Sequence, residues 1–197
     1  MSVALAALLP YSFISAVTPG PNNIMLAASG VNFGFRRTIP HFSGVYFGFL
    51  FMLTIACFGL GEIFTTFPIL QPILKYAGSA YLLYLAYRIS QSSTISDANV
   101  PKPLNFFQAA LFQYINPKAW IVAGTIPVAF TQGTGITNED IMYLVGGHAF
   151  VSFPAVMAWV IGGTQVRRLL STPRSLRRFN ITMGLLLAGT VVLILTS

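Results

Sequence analysis

The stretch Thr18-Pro19-Gly20-Pro21-Asn22-Asn23 interrupts an apolar segment that covers residues 3–31. Proline has no amide hydrogen and its ring clashes with the preceding helical turn, so two prolines around a glycine predict a broken helix. A second apolar segment, residues 106–130, contains Asn116-Pro117-Lys118. Both segments are therefore predicted to be helices that proline breaks.

The composition around these stretches is that of a membrane protein. Of the 197 residues, 55% are hydrophobic and only 8% are charged, and the mean hydropathy is +0.73. A soluble domain usually carries about 25% charged residues, so a soluble globular protein is excluded, and so is a disordered chain. The net charge of +7 does not indicate nucleic acid, because the basic residues separate apolar stretches.

Six apolar segments are long enough, or nearly so, to cross about 30 Å of hydrocarbon. They cover residues 3–31, 42–60, 70–89, 106–130, 141–162 and 181–196, of which the last is short for a span. Backbone polar groups find no partners in lipid, so these segments should be helices. Three spans per half require the second half to be inverted, as in many secondary transporters. The predicted fold is an all-α membrane protein with six transmembrane helices in a 3+3 inverted repeat.

The charged residues predict the orientation of these spans. The second and fourth loops carry no base, and nine of the 11 basic residues fall in the first, third and fifth loops: Arg36, Arg37, Arg88, Lys102, Arg167, Arg168, Arg174, Arg177 and Arg178. By the positive-inside rule those three loops are cytoplasmic and both termini face outward. The chain is thus predicted to be one transmembrane domain over residues 1–197, with a first half at about 1–90, a cytoplasmic linker at 91–104 and a second half at about 105–197.

The two breaks supply the candidate binding residues. A half-helix starting at Pro21 would expose unpaired N–H groups and a positive dipole end, which suits a carboxylate. Asn116 can cap the turn after the second break, and Lys118 can contact a substrate carboxylate. A plain proline kink and a lysine that reaches the cytoplasmic interface are the alternatives. The predicted substrate-binding residues are Pro19, Gly20, Pro21, Asn22, Asn23, Asn116, Pro117 and Lys118.

The two histidines receive different predictions. His148 lies in the fifth span and could titrate or bind substrate, with a hydrogen-bonded structural histidine as the alternative. His41 starts the second span and is expected at the cytoplasmic interface. The sequence contains no metal-ligand cluster, nucleotide-binding loop or Ser-His-Asp pattern, so neither an enzyme, a metal site nor a cofactor is predicted.

These motifs, taken in order, resemble those of the LysE/RhtB family of amino-acid exporters. Pro19-Gly20-Pro21-Asn22 is similar to the family's first-span signature, and Asn116-Pro117-Lys118-Ala119 is similar to its fourth-span motif. Gly34-Phe35-Arg36-Arg37, followed by Gly44 and Gly48, resembles its first loop and second span.

The resemblance implies a transporter in the bacterial inner membrane, with periplasmic termini, that exports amino acids by antiport with protons. Some members carry an acidic residue in the fifth span, where this sequence reads His148-Ala149-Phe150-Val151-Ser152-Phe153. The missing carboxylate argues against a cationic substrate. The sequence looks more like the branch that exports cysteine, O-acetylserine and other small neutral amino acids, and threonine and homoserine are further candidates.

The expected partners are a small amino acid and the lipid bilayer, without nucleic acid, and a homodimer is left open. A metal-ion exporter of the same superfamily and a passive small-solute channel are the alternative functions. A membrane redox enzyme would need a pair of cysteines, and the sequence has only Cys57.

Overall fold

The computed structural model describes residues 3–59, 66–91, 103–131, 135–170 and 172–196. Within these ranges the chain forms eight α-helices and one short 3₁₀ helix, and it contains no strand beyond a single isolated bridge. The helices are α1 (Leu5–Val17), α2 (Pro21–Phe33), α3 (Phe35–Cys57), α4 (Leu70–Ser90), α5 (Phe106–Phe112), α6 (Pro117–Phe130), α7 (Asn138–Leu169) and α8 (Pro173–Thr196), and the 3₁₀ helix is Gln113–Ile115. The all-α prediction is confirmed.

Both proline-containing segments are broken. α1 ends at Val17, and α2 begins at Pro21 with the extended residue Gly20 as its N-cap. Asn116 separates the 3₁₀ helix from α6, which begins at Pro117. Each new helix starts with proline, where the missing N–H costs no intrahelical hydrogen bond. The prediction of two helices broken by proline is confirmed, and each break leaves a helix N-terminus inside the bundle.

Three helices, α3, α7 and α8, are long and apolar enough to cross a membrane by themselves. The remaining predicted spans correspond to the two broken pairs, α1 with α2 and α5 with α6, and to α4. The sixth apolar segment, short for a span by itself, extends through Arg178 and Phe179, because α8 begins at Pro173 and has 24 residues.

The predicted loops are also shorter than expected. Arg36 and Arg37 lie in the first turn of α3, and Arg88 lies in the last turn of α4. The five arginines expected in the fifth loop lie at the end of α7 and the start of α8. Arginine side chains can reach polar surroundings from within a helix end, so charge does not mark a helix boundary. Glu62, Lys102 and residues 92–101 of the predicted linker lie outside the described residues.

Small residues bring the helices into close contact. α2 packs along α7, α3 packs against α5, and α4 packs along α8. A Cβ atom at Gly163 of α7 would lie 2.2 Å from the carbonyl oxygen of Ala27 in α2. A Cβ atom at Gly44 of α3 would lie equally close to the carbonyl oxygen of Phe106 in α5. The spacing of Gly44 and Gly48 is that of a GxxxG pattern, and Gly44 has the packing role that is typical of such glycines.

The two broken pairs run in opposite directions through the bundle. At one end, the Ala4 N–H at the start of α1 donates to the carbonyl of Phe130, the last residue of α6. At the other end, Gly34 joins α2 to α3 and lies against the guanidinium of Arg167. This second end is called here the basic end. It includes the start of α8, because Asn32 of α2 pairs with Asn180 of α8. It also includes the end of α4 and the start of α5, because Arg88 and Leu104 line a cavity together with Asn32.

Candidate functional site

A cavity of about 560 Å³, including its opening, lies between the two breaks. Of the predicted binding residues, those that line it are Gly20, Asn22, Asn23, Asn116, Lys118 and His148. Pro19, Pro21 and Pro117 do not line the cavity, and Pro21 and Pro117 contribute by starting the two helices that point into it. Residues nearly 100 positions apart in the sequence therefore share one site.

Lys118 belongs to the second break, but its ammonium group lies at the first. Nζ donates hydrogen bonds to the carbonyl oxygen of Thr18 at 3.0 Å and to its Oγ1 at 2.8 Å. A Cβ atom at Gly20 would lie 2.9 Å from Cδ and 3.2 Å from Nζ of Lys118, so glycine leaves the room that this side chain occupies. In this structure the Lys118 ammonium is therefore held inside the bundle at the first break.

Side chains bind the carbonyl groups that the first break releases. Asn23 Nδ2 donates to the carbonyl oxygens of Ala16 at 2.7 Å and Thr18 at 2.9 Å. Trp159 Nε1 donates to the carbonyl oxygen of Val17 at 3.2 Å. The carbonyl groups thus find protein partners, as an interrupted helix in lipid requires. The Asn23 amide consequently stabilises the break, and its backbone N–H remains at the start of α2.

Asn22 forms an amide pair with Gln113, a residue that the sequence analysis missed. Asn22 Nδ2 donates to Gln113 Oε1 at 2.8 Å, and Gln113 Nε2 donates to Asn22 Oδ1 at 3.3 Å. Gln113 is fully buried and also donates to the carbonyl oxygen of Ala109. The available signal was a polar residue within an apolar segment, just before the break at Asn116. The pair connects the first half of the chain to the second beside the cavity.

Two helix N-termini make the cavity electropositive. The N-cap Gly20 offers no side-chain acceptor to α2, whereas the Asn116 side chain accepts from the Lys118 N–H at 3.2 Å and caps α6. Neither helix has an acidic residue in its first turn, and no described Asp or Glu lines the cavity. A helix N-terminus carries about half a positive charge, which adds to the Lys118 ammonium. The arrangement suits an anionic group such as a carboxylate.

His148 is buried at the cavity wall. Its ring packs on Phe49 with the centroids 4.8 Å apart, and its Nδ1 has no hydrogen-bond partner. Three more polar residues, Ser15, Tyr46 and Ser152, line the same cavity, and no motif marks them in the sequence. They add three hydroxyl groups to the cavity wall.

His41, expected at the cytoplasmic interface, is buried inside the protein at the basic end of the bundle. The side chain is only 2% exposed and lines a different cavity from His148. In the part of the chain that the structure describes, no three His, Cys, Asp or Glu residues are grouped so as to hold a metal ion.

Comparison with known proteins gives a consistent result. The family model described as LysE type translocator matches residues 13–197. The cysteine/O-acetylserine efflux protein of Shigella flexneri serotype 5b (strain 8401) is 29% identical over 189 residues, which cover 94% of each chain. The protein of the same name from Escherichia coli (strain K12) is 29% identical over 187 residues, which cover 93% of each chain. No solved structure matches at a comparable level of significance.

Proposed function

Because the chain belongs to the LysE type translocator family, we propose that it exports small neutral amino acids or their derivatives across the bacterial inner membrane. Cysteine and O-acetylserine are the first candidates, because two relatives that match nearly the whole chain carry those substrates in their names. Threonine and homoserine follow. Export is by secondary transport, with protons as the counter-ion. The observation that carries the proposal is the electropositive cavity between the two proline breaks.

The substrate carboxylate binds at the start of α2. Pro21 has no N–H, and the Ile24 N–H already donates to the carbonyl oxygen of Gly20 at 3.0 Å. The backbone N–H groups of Asn22 and Asn23 are therefore the donors that an anion can use at this helix end. The Lys118 ammonium approaches from the other half of the chain and neutralises the carboxylate.

The remaining wall of the cavity favours a small, uncharged side chain. Phe49, Val122 and Val156 provide apolar surface, and the hydroxyl groups of Ser15 and Ser152 can accept hydrogen bonds from the substrate ammonium. A cationic side chain would meet the Lys118 ammonium and two positive helix ends without a described carboxylate to compensate. This electrostatic pattern supports a neutral substrate.

The transport domain covers residues 1–197 as six spans in a 3+3 inverted repeat, with the basic end in the cytoplasm and both termini in the periplasm. The opposite directions of the two broken pairs support the inverted repeat, since α1 with α2 corresponds to α5 with α6. The arginines at the basic end support the orientation. The two halves rock around the cavity and expose it to each side of the membrane in turn.

The test is efflux from cells that lack their own exporters and are preloaded with labelled cysteine, O-acetylserine, threonine, homoserine or leucine. We expect efflux of at least one of them, and slower efflux in the variants Pro21→Ala and Asn22→Ala. The site is wrong if both variants export as fast as the wild type.

Two further measurements separate the alternative functions. An uncoupler should abolish accumulation against a gradient, and an unchanged flux would indicate a passive channel. Cells that produce the protein should be no more tolerant of heavy metals than control cells, and increased tolerance would indicate a metal-ion exporter.

A further inference from the structure

A second cavity lies at the basic end of the bundle and shares no lining residue with the first. Its volume is about 470 Å³, including its opening. α2 connects the two cavities, because its N-terminal residues line the first and residues from Met25 onward line the second. The polar residues of the second cavity are Ser29, Asn32, His41 and Arg88, and Met25 and Leu85 belong to its apolar wall.

The His41 imidazole is the feature of this cavity that lacks an explanation within the fold. It is 2% exposed, and neither Nδ1 nor Nε2 has a hydrogen-bond partner among the residues that the structure describes. The neighbouring polar groups are satisfied, since Ser29 Oγ lies 2.9 Å from Thr38 Oγ1 and Asn32 pairs with Asn180. Buried polar side chains are nearly always hydrogen-bonded, so an imidazole without partners at a cavity wall indicates a ligand that the fold itself does not supply.

Arg88 gives the cavity a cationic group. The residue lies in the last turn of α4, where Nη1 donates to the hydroxyl of Tyr84 and Cζ lies 5.5 Å from the centroid of the Tyr84 ring. A guanidinium has five N–H donors in a planar fork, so it can bind a tyrosine and a carboxylate together.

We propose that the second cavity is a binding site for a small carboxylate-bearing solute. The carboxylate binds Arg88, the His41 imidazole donates or accepts a further hydrogen bond, and the apolar part of the solute packs against Met25 and Leu85. The proposal rests on the proposed function for the identity of the solute, a small amino acid. Its place at the basic end makes it a loading site on the cytoplasmic side, from which the amino acid moves along α2 to the first cavity.

The two histidines of the chain, His41 and His148, allow both cavities to be observed in one experiment. The full-length protein is labelled with ¹⁵N in its histidine rings and placed in lipid nanodiscs. The His41→Gln variant shows which NMR signals belong to the ring of His41 and which to that of His148. L-serine is then titrated, with ethanolamine as the matched amine that lacks the carboxylate. We expect both histidine signals to shift to saturation with L-serine, and the His41 signal to stay in place with ethanolamine.

Substitutions then separate the two sites. Arg88→Gln should raise the L-serine concentration that half-shifts the His41 signal at least tenfold, which corresponds roughly to the loss of one charge-assisted hydrogen bond. The L-serine concentration that half-shifts the His148 signal should stay unchanged. Arg88→Lys keeps the charge and should give a smaller increase. Lys118→Met should raise the L-serine concentration that half-shifts the His148 signal and leave the value for His41 unchanged.

The possible results distinguish the two proposals. If only the His148 signal shifts, the second site is wrong and the proposed function stands. The second site is also wrong if Lys118→Met abolishes both shifts, because the His41 response is then transmitted from the first cavity. A His41 shift with ethanolamine equal to that with L-serine overturns the carboxylate assignment. If neither signal shifts with L-serine, O-acetyl-L-serine, L-cysteine, L-threonine or L-homoserine, both the second site and the proposed function are overturned.

Discussion

Replacement of Gly20 by alanine is predicted to impair substrate binding by displacing Lys118. The backbone at Gly20 is extended, with φ −176° and ψ 174°, so alanine fits without backbone strain. The added Cβ would lie 2.9 Å from Cδ of Lys118, whereas ordinary contacts begin at about 3.4 Å. The lysine side chain must therefore move by at least about half an ångström, which a flexible chain can do while the protein remains folded.

The expected loss follows from the bonds that the ammonium makes. Nζ lies at hydrogen-bonding distance from two oxygen atoms of Thr18 and is positioned to reach the substrate carboxylate. A hydrogen bond to a charged group contributes about 1.5–3 kcal/mol. If the displaced ammonium no longer reaches the carboxylate, the half-saturating substrate concentration should rise about 10- to 100-fold.

The assay is uptake of labelled substrate into inverted membrane vesicles as a function of its concentration. Gly124→Ala is the matched control, because a Cβ at Gly124 of α6 has no heavy atom within 4 Å and should change nothing. In a Lys118→Met background, Gly20→Ala should add no further loss, since the ammonium is already absent. Wild-type half-saturation in Gly20→Ala, or an equally large effect in the Lys118→Met background, would show that Gly20 does not act through Lys118.

Three further predictions concern stability and topology. Gly163→Ala should lower the thermal unfolding temperature, because its Cβ would lie 2.2 Å from the Ala27 carbonyl oxygen and destabilise the protein by about 1–3 kcal/mol. Gly162→Ala, whose Cβ has no neighbour within 4 Å, should leave the unfolding temperature unchanged, and equal melting curves for the two variants would contradict this packing. Gln113→Leu should destabilise the protein by about 1–3 kcal/mol, because it leaves the half-buried Asn22 amide without its partner. A double-mutant cycle with Asn22→Leu should show coupling, and additive losses would argue against the pair. A C-terminal fusion to alkaline phosphatase should be active and one to green fluorescent protein dark in bacterial cells, and the reverse pattern would overturn the orientation.

The sequence predicted the helix breaks because proline acts locally. Pro21 and Pro117 remove a backbone donor and clash with the preceding turn whatever surrounds them, so the starts of α2 and α6 follow from covalent chemistry. The N-cap role of Asn116 is equally local, and it is confirmed by the hydrogen bond from the Lys118 N–H. Features that depend on one residue and its immediate neighbours could therefore be read from the sequence alone.

The tertiary partners could not be predicted in the same way. Lys118 bonds Thr18 and Gln113 bonds Asn22 across about 90 to 100 residues of sequence, and no periodicity encodes which polar groups meet. The start of the second span was also predicted too late, for a different reason. α3 begins at Phe35, before the apolar run, because Arg36 and Arg37 fit into its first turn, so His41 lies more than one turn inside the helix.

The most direct test of the central claim is whether the cavity between the two breaks recognises a carboxylate. The measurement is counterflow of labelled L-cysteine, under reducing conditions, into proteoliposomes that contain the purified protein. We expect unlabelled cysteine to compete, and cysteamine, which lacks the carboxylate, not to compete. Lys118→Met should raise the half-saturating concentration of cysteine at least tenfold, which corresponds roughly to the loss of one charge-assisted hydrogen bond. Lys75→Met should leave it unchanged, because Lys75 lies on α4 and does not line the cavity. Competition by cysteamine equal to that by cysteine would show that the cavity does not recognise the carboxylate. Wild-type counterflow by Lys118→Met would show that Lys118 does not bind it.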